Sequence, residues 1–185
     1  MKKGLFFILS IIIIALISCN EHPVVKGDRG YHVKVGDTVK DINFTLTDGS
    51  TLSLSELVGK VIVLQFTASW CSVCRKEMPF LERDVWQKYK DMDFVLIGVD
   101  YDEPLDTVIA FVEKMKTSYP MALDPQGDIF AKFAYKNSGV TRNVVIDREG
   151  KIAYLTRLFK KEKLSNLLKV SPETKKARYE RHCNL

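Results

Sequence analysis

The apolar positions beyond residue 35 fall into short blocks of two different periods, and the order of those blocks predicts the architecture. Val39–Leu46 alternates apolar and polar residues imperfectly, Asp48-Gly49 is a turn signal, and Thr51–Leu54 resumes the alternation, the pattern of a β-hairpin. Ser55–Leu57 reads as a helical turn ending at Gly59, and Lys60–Thr67 is then apolar almost throughout, as expected of a central strand covered on both faces. Beyond Cys74 the period changes. Met78, Leu81, Val85 and Tyr89 recur every three or four residues while Arg75, Lys76, Glu82, Arg83 and Lys88 take the other face, so an amphipathic helix is predicted, with Pro79 kinking it. Phe94–Val99 is a second buried strand ended by Asp100-Tyr101-Asp102, and Pro104 opens a helix with Leu105, Val108, Ile109 and Val112 on its apolar side.

That order of strand, helix, strand, helix points to parallel strands joined by crossovers, with helices on both sides of the sheet. Asp124-Pro125-Gln126-Gly127 is a turn, Ile129–Tyr135 a short aromatic-rich helix, and Asn143–Asp147 with Lys151–Leu155 an antiparallel hairpin turning at Arg148-Glu149-Gly150. A last helix is expected over Phe159–Val170, where Leu164, Leu167 and Leu168 share a face. The stretch from residue 31 to residue 170 is long enough for one domain and too short for two.

The chain's first residues change the picture of where this domain works. Lys2-Lys3, an apolar run from Leu5 to Ile17 and then Ser18-Cys19 form an export signal, too short in its apolar part to span a bilayer comfortably. The residues before Cys19 resemble a bacterial lipobox, which implies a lipoprotein signal peptide over 1–18 and lipid attachment at Cys19. Residues 19–30 are then a polar lipidated tether with a reach of about 20 Å, and residues 171–185 a polar C-terminal tail containing Cys183. The expected location is the bacterial cell envelope, lipid-anchored and facing the periplasm, where disulfides persist. A net charge of +5 that includes Lys2 and Lys3, without basic runs interleaved with aromatics, gives no case for nucleic acid.

The candidate chemistry is Trp70-Cys71-Ser72-Val73-Cys74, placed where the central strand hands over to a helix. Exposed N–H groups at a helix start favour thiolate over thiol, and two cysteines one turn apart can close a disulfide. A zinc site would need a second ligand pair, whereas Cys19 and Cys183 stand alone and His22, His32 and His182 lie near the two ends, so no metal is expected.

From about Val35 to Val170 the chain resembles the TlpA/ResA-like group of thioredoxin-fold thiol-disulfide oxidoreductases. The residues that carry the resemblance are Trp70-Cys71-x-x-Cys74-Arg75-Lys76-Glu77-Met78-Pro79, the strand before them and Ile146–Ile152. The resemblance implies an α/β thioredoxin-like three-layer α/β/α fold, with a central mixed sheet and an N-terminal β-hairpin extension. It implies that Cys71 is the attacking thiol, Cys74 the resolving one, and that no cofactor is needed beyond their redox-active disulfide. Glu77 matches a glutamate that members place beside the active site, and is the candidate proton acceptor, while Gln65 stands where ordinary thioredoxin has a buried acid. The alternative for Glu77 is a solvated place in a charged run.

Two departures from the pattern stand out. No proline lies between the cysteines, and Thr141 occupies the place of the usual cis-proline, so Val140, Thr141 and Arg142, with Trp70, Ser72 and Val73, are the candidate partner-binding residues. Expected partners are protein thiols or disulfides, with a membrane electron-relay protein as donor, the domain acting as a reductase. Two alternatives differ in kind. A peroxiredoxin-like peroxide reductase would use Arg142, but needs Thr or Ser three residues before its cysteine, where Ala68 stands. A non-catalytic binding lipoprotein would keep its disulfide closed.

Overall fold

The structure, a computed structural model, describes residues 30–161. The expected signal peptide, the expected tether up to residue 29 with Cys19, most of the helix expected over 159–170, and the expected tail with Cys183 lie outside the described residues.

A five-stranded mixed sheet organises the domain. Its strands are β3 (Val61–Thr67), β4 (Phe94–Tyr101), β5 (Met121–Asp124), β6 (Arg142–Ile146) and β7 (Ile152–Arg157), in spatial order β5-β4-β3-β6-β7. β3 pairs parallel with β4 and antiparallel with β6, and every residue of it is buried, which is why its sequence is an unbroken apolar run. The hairpin β1 (Asn43–Thr45) and β2 (Thr51–Ser53) forms a separate two-stranded sheet and reaches the main one through the bridge of Leu46 to Ala122.

Two apolar layers cover the sheet. On one face, Val61, Val63, Leu96 and Val145 pack against Met78, Leu81 and Val85 of the first helix and Val108 and Phe111 of the last. On the other, Ile62, Leu64, Phe66, Ile97 and Val144 pack against Phe44 of the hairpin and Phe130 and Phe133. Helical turns at Leu54–Leu57 and Phe130–Lys132 complete that second layer, the first held by reciprocal capping between Ser53 and Glu56.

The helix after the cysteines is α1 (Ser72–Phe80), continued by a π-helical turn (Leu81–Trp86) and by α2 (Gln87–Tyr89). Pro79 sits inside α1, and the irregularity follows it: the Leu81 N–H lies against both the Glu77 and Met78 carbonyls before the wider turn begins. β4 runs two residues further than the apolar pattern predicts, because Asp100 and Tyr101 still pair with β5. β5 itself is missed by period counting, since its four residues are boxed between Pro120 and Pro125. In α3 (Leu105–Met115) the buried face is Val108 and Phe111, with Val112 and Met115 partly covered; Leu105 and Ile109 are exposed. The predicted stripe is one of two that the spacing allows, and contact with Val63 and Leu96 selects the other.

Candidate functional site

β3 ends at Thr67, and the chain reverses through a turn closed by the Cys71 N–H on the Ala68 carbonyl, 3.1 Å. Cys71 is therefore the N-cap of α1, and its sulfur accepts from the Cys74 N–H at 3.1 Å. A helix start normally takes a side-chain oxygen at this place; here sulfur receives the same unsatisfied donor and the same partial positive charge. The two cysteines form a disulfide. Cys71 keeps 7% of its surface accessible and Cys74 none, so an incoming sulfur meets Cys71 first.

Thr141 lies opposite. Its hydroxyl oxygen is 3.0 Å from Cys71 Sγ and 3.2 Å from Cys74 Sγ, and because a disulfide sulfur carries no hydrogen, the hydroxyl is the donor. The Val140–Thr141 peptide bond is trans. Around this pair opens a groove of about 270 Å³ lined by Trp70, Ser72, Val73, Val140, Thr141 and Leu158 among others. Trp70 is 58% exposed, so it forms the rim of the groove rather than the core, and Leu158 faces solvent on the other side. Val140 is buried and meets the groove at its floor.

Arg142 is placed elsewhere than expected. It is fully buried, with its guanidinium 4.5 Å from the Tyr31 ring and 5.1 Å from the Phe130 ring, and it donates to the carbonyls of Ser138 and Gly139. Strand alternation decides this: in β6, Asn143 faces the helix layer beside Gln65 and Arg142 the opposite one. It holds the loop that carries Thr141 from behind, and it is not presented to a partner.

Glu77 is buried at 3% exposure, which removes the solvated alternative. Its Oε1 accepts from Asn143 Nδ2 at 2.8 Å, and the same amide donates to Thr156 Oγ1 at 3.0 Å. Gln65, paired across the sheet with Asn143, is fully buried and accepts from the Tyr119 hydroxyl at 2.7 Å. Burial pushes the Tyr119 phenol well up, and the Glu77 charge adds to that. Glu77 thus belongs to a polar layer inside the domain, one helical turn after Cys74.

A second buried carboxylate group escapes the sequence reading. Glu103 accepts from the Ser69 N–H at 2.6 Å and from its hydroxyl at 2.5 Å, while Arg75 donates to the Ser69 carbonyl. Beneath it, burial pushes Asp100 up to about 8, with the adjacent Glu103 carboxylate adding to the rise. The only trace in the sequence is the acidic run Asp100-Tyr101-Asp102-Glu103, which reads as a strand ending.

The Redoxin profile matches residues 34–170, most of the chain. The chain belongs to the Redoxin family. Within it, this is a ResA-like, thioredoxin-fold thiol-disulfide oxidoreductase with a Cys71-x-x-Cys74 pair. It is 29% identical over 154 residues to the thiol-disulfide oxidoreductase ResA of Bacillus cereus, covering 82% of this chain and 87% of that one. A Bacteroides thetaiotaomicron structure proposed to be a protein disulfide isomerase is 57% identical, with a TM-score of 0.74, over 76% of this chain and 89% of the other. A Chlorobium tepidum structure proposed to be the thiol:disulfide interchange protein DsbE is 26% identical, with a TM-score of 0.64, over 74% and 96%.

Proposed function

We propose that this oxidoreductase is a lipid-anchored reductase of the bacterial envelope, tethered through Cys19 and facing the periplasm, which reduces disulfides in protein partners. The observation that carries the exchange chemistry of this reading is the asymmetry of the pair: Cys71 is reachable and sits at a helix start, and Cys74 is sealed behind it. The Cys71 thiolate attacks one sulfur of a partner disulfide, and the partner's other sulfur leaves as a thiolate. Cys74, once deprotonated, attacks Cys71 Sγ, and the bound partner sulfur leaves in turn. Two electrons pass to the partner and the Cys71–Cys74 disulfide remains. Glu77 takes the Cys74 proton, since a thiol is a poor nucleophile until it loses it. Trp70, Ser72, Val73, Val140 and Thr141 form the surface on which the partner chain lies. A membrane electron-relay protein returns the electrons.

The peroxide reading loses its main support, because Arg142 is turned into the core and Ala68 stands three residues before Cys71.

The deciding measurement is the reduction potential of the pair, by equilibrating the protein with thiol-disulfide buffers. A value near the thioredoxin end, about −270 mV, supports the reductase reading, and one near about −120 mV makes the protein a disulfide donor instead. A pair that does not cycle leaves a binding domain.

A further inference from the structure

We propose that Glu103 is a positioning residue for Cys71, fixing through Ser69 the turn that delivers this sulfur to the start of α1. The inference rests on Cys71 being the attacking thiol, and adds how its geometry is kept. Ser69 is tied at three points: its N–H and its hydroxyl to Glu103, and its carbonyl to Arg75. The next residue, Trp70, is mostly exposed, so within the turn the apolar packing is confined to its two ends, Ala68 and Cys71. What holds the turn is the Cys71 N–H on Ala68, the Arg75 bond to the Ser69 carbonyl and the Glu103 clamp, which supplies two of the three ties on Ser69. Glu103 is itself rigidly placed. It follows Asp102, whose N–H is bonded to the Asp124 carbonyl of β5, and precedes Pro104, the cap of α3.

The two ways in which Glu103 could affect Cys71 have opposite signs. If its negative charge mattered most, removing it would favour the Cys71 thiolate and lower the thiol pKa. If it acts by position, removing it loosens the N-cap, the sulfur loses the Cys74 N–H and the field of the helix start, and the pKa rises. The other charged groups beside Ser69 are Arg75 on α1 and Asp106 and Lys114 on α3, which are unchanged in every variant below. Asp100, beneath Glu103, is the remaining titratable group; Glu103→Ala and Glu103→Gln both remove the carboxylate that helps to raise it, so its effect on Cys71 is common to the two and cancels when they are compared.

The test uses the reduced full-length chain and follows alkylation by iodoacetamide across pH, resolved by peptide so that Cys71 is read separately from the other cysteines. For Glu103→Ala, the Cys71 thiol pKa is expected to rise by about one unit, and the rate at neutral pH to fall by about tenfold. Glu103→Gln keeps an acceptor oxygen for Ser69 and loses the charge, and is expected to restore most of that rate. An unchanged or lowered pKa in Glu103→Ala overturns the proposal, as does a Gln variant as impaired as the Ala one. Should Glu103→Ala fail to fold, Ser69→Ala, which deletes only the hydroxyl bond, is read by the same sign. Preferential alkylation of Cys74 in the unaltered chain would instead reverse the thiol roles of the proposed reading, and overturn this inference with it.

Discussion

Glu77 and Glu103 are both buried glutamates beside the redox pair, yet their oxygens are used differently. Glu103 commits both to one residue, Ser69, whose turn leads into Cys71. Glu77 sits on the helix that carries Cys74 and takes a bond from Asn143, an amide that stays a donor whether or not the carboxylate is protonated. The first arrangement fixes geometry. The second leaves a carboxylate on the helix that carries Cys74, held by an amide indifferent to its proton, as the proton-acceptor role proposed above requires. The two glutamates thus stand on different elements with different partners, and their variants separate position from proton transfer.

The largest expected effects come from the thiols themselves. Cys71→Ser is expected to abolish exchange, and Cys74→Ser to accumulate a mixed disulfide between Cys71 and the partner, visible by non-reducing electrophoresis. Trapping through Cys74 in the Cys71→Ser protein would reverse the two roles and break the comparison at its root.

Glu77→Gln comes next. The amide oxygen still accepts from Asn143, so the fold is kept while the proton acceptor is lost, and exchange at neutral pH is expected to slow by about a hundredfold. The pH–rate profile should lose one inflection as well. A variant with unchanged rate and profile removes Glu77 from the chemistry.

Much of this site is legible in the amino-acid sequence. The spacing of Cys71 and Cys74 after an apolar strand carries the chemistry, and the hairpin signals carry the order of the late strands. Glu77 is visible there as a matching residue, but its burial is not, because Arg75 and Lys76 beside it read as a solvated face, and its partner Asn143 lies 66 residues away. Glu103 is hidden for the same reason: its bond to Ser69 spans 34 residues, and no local spacing encodes it. Arg142 is misplaced by sequence reasoning because strand parity, not residue type, decides which face a side chain takes, and the register of β6 on β3 is a tertiary fact.

Asp100, under the Glu103 clamp, sharpens the comparison through stability. Its carboxyl is raised from 3.8 to about 8, so between those values the folded chain holds a proton that the unfolded chain has released. Stability therefore falls as pH rises through that window, by up to about 1.4 kcal/mol per unit for one proton. Urea unfolding at pH 5, 6 and 7 is expected to show a shallower loss in Asp100→Asn than in the unaltered protein. Parallel slopes would mean that Asp100 ionises normally in the fold.

The smallest effect is expected at Thr141, whose hydroxyl touches both sulfurs. Thr141→Val keeps the shape of the side chain and removes its O–H, so the groove and the turn stay in place. In the reduced protein that hydroxyl can donate to a thiolate, a stronger bond than to a neutral sulfur, so its loss disfavours the reduced, ionised form. The Cys71 thiol pKa is then expected to rise by about half a unit, and the reduction potential to become more negative by about 15 mV, since 30 mV corresponds to about 1.4 kcal/mol for two electrons. Glu103→Ala and Thr141→Val move the thiol pKa the same way but by separate routes, one through the turn and one through a direct bond. If those routes are independent, the double variant shows the sum of the two shifts within about 0.3–0.5 kcal/mol. A smaller combined shift would mean that the Glu103 clamp works mainly by holding Cys71 against Thr141, which joins the two supports into one.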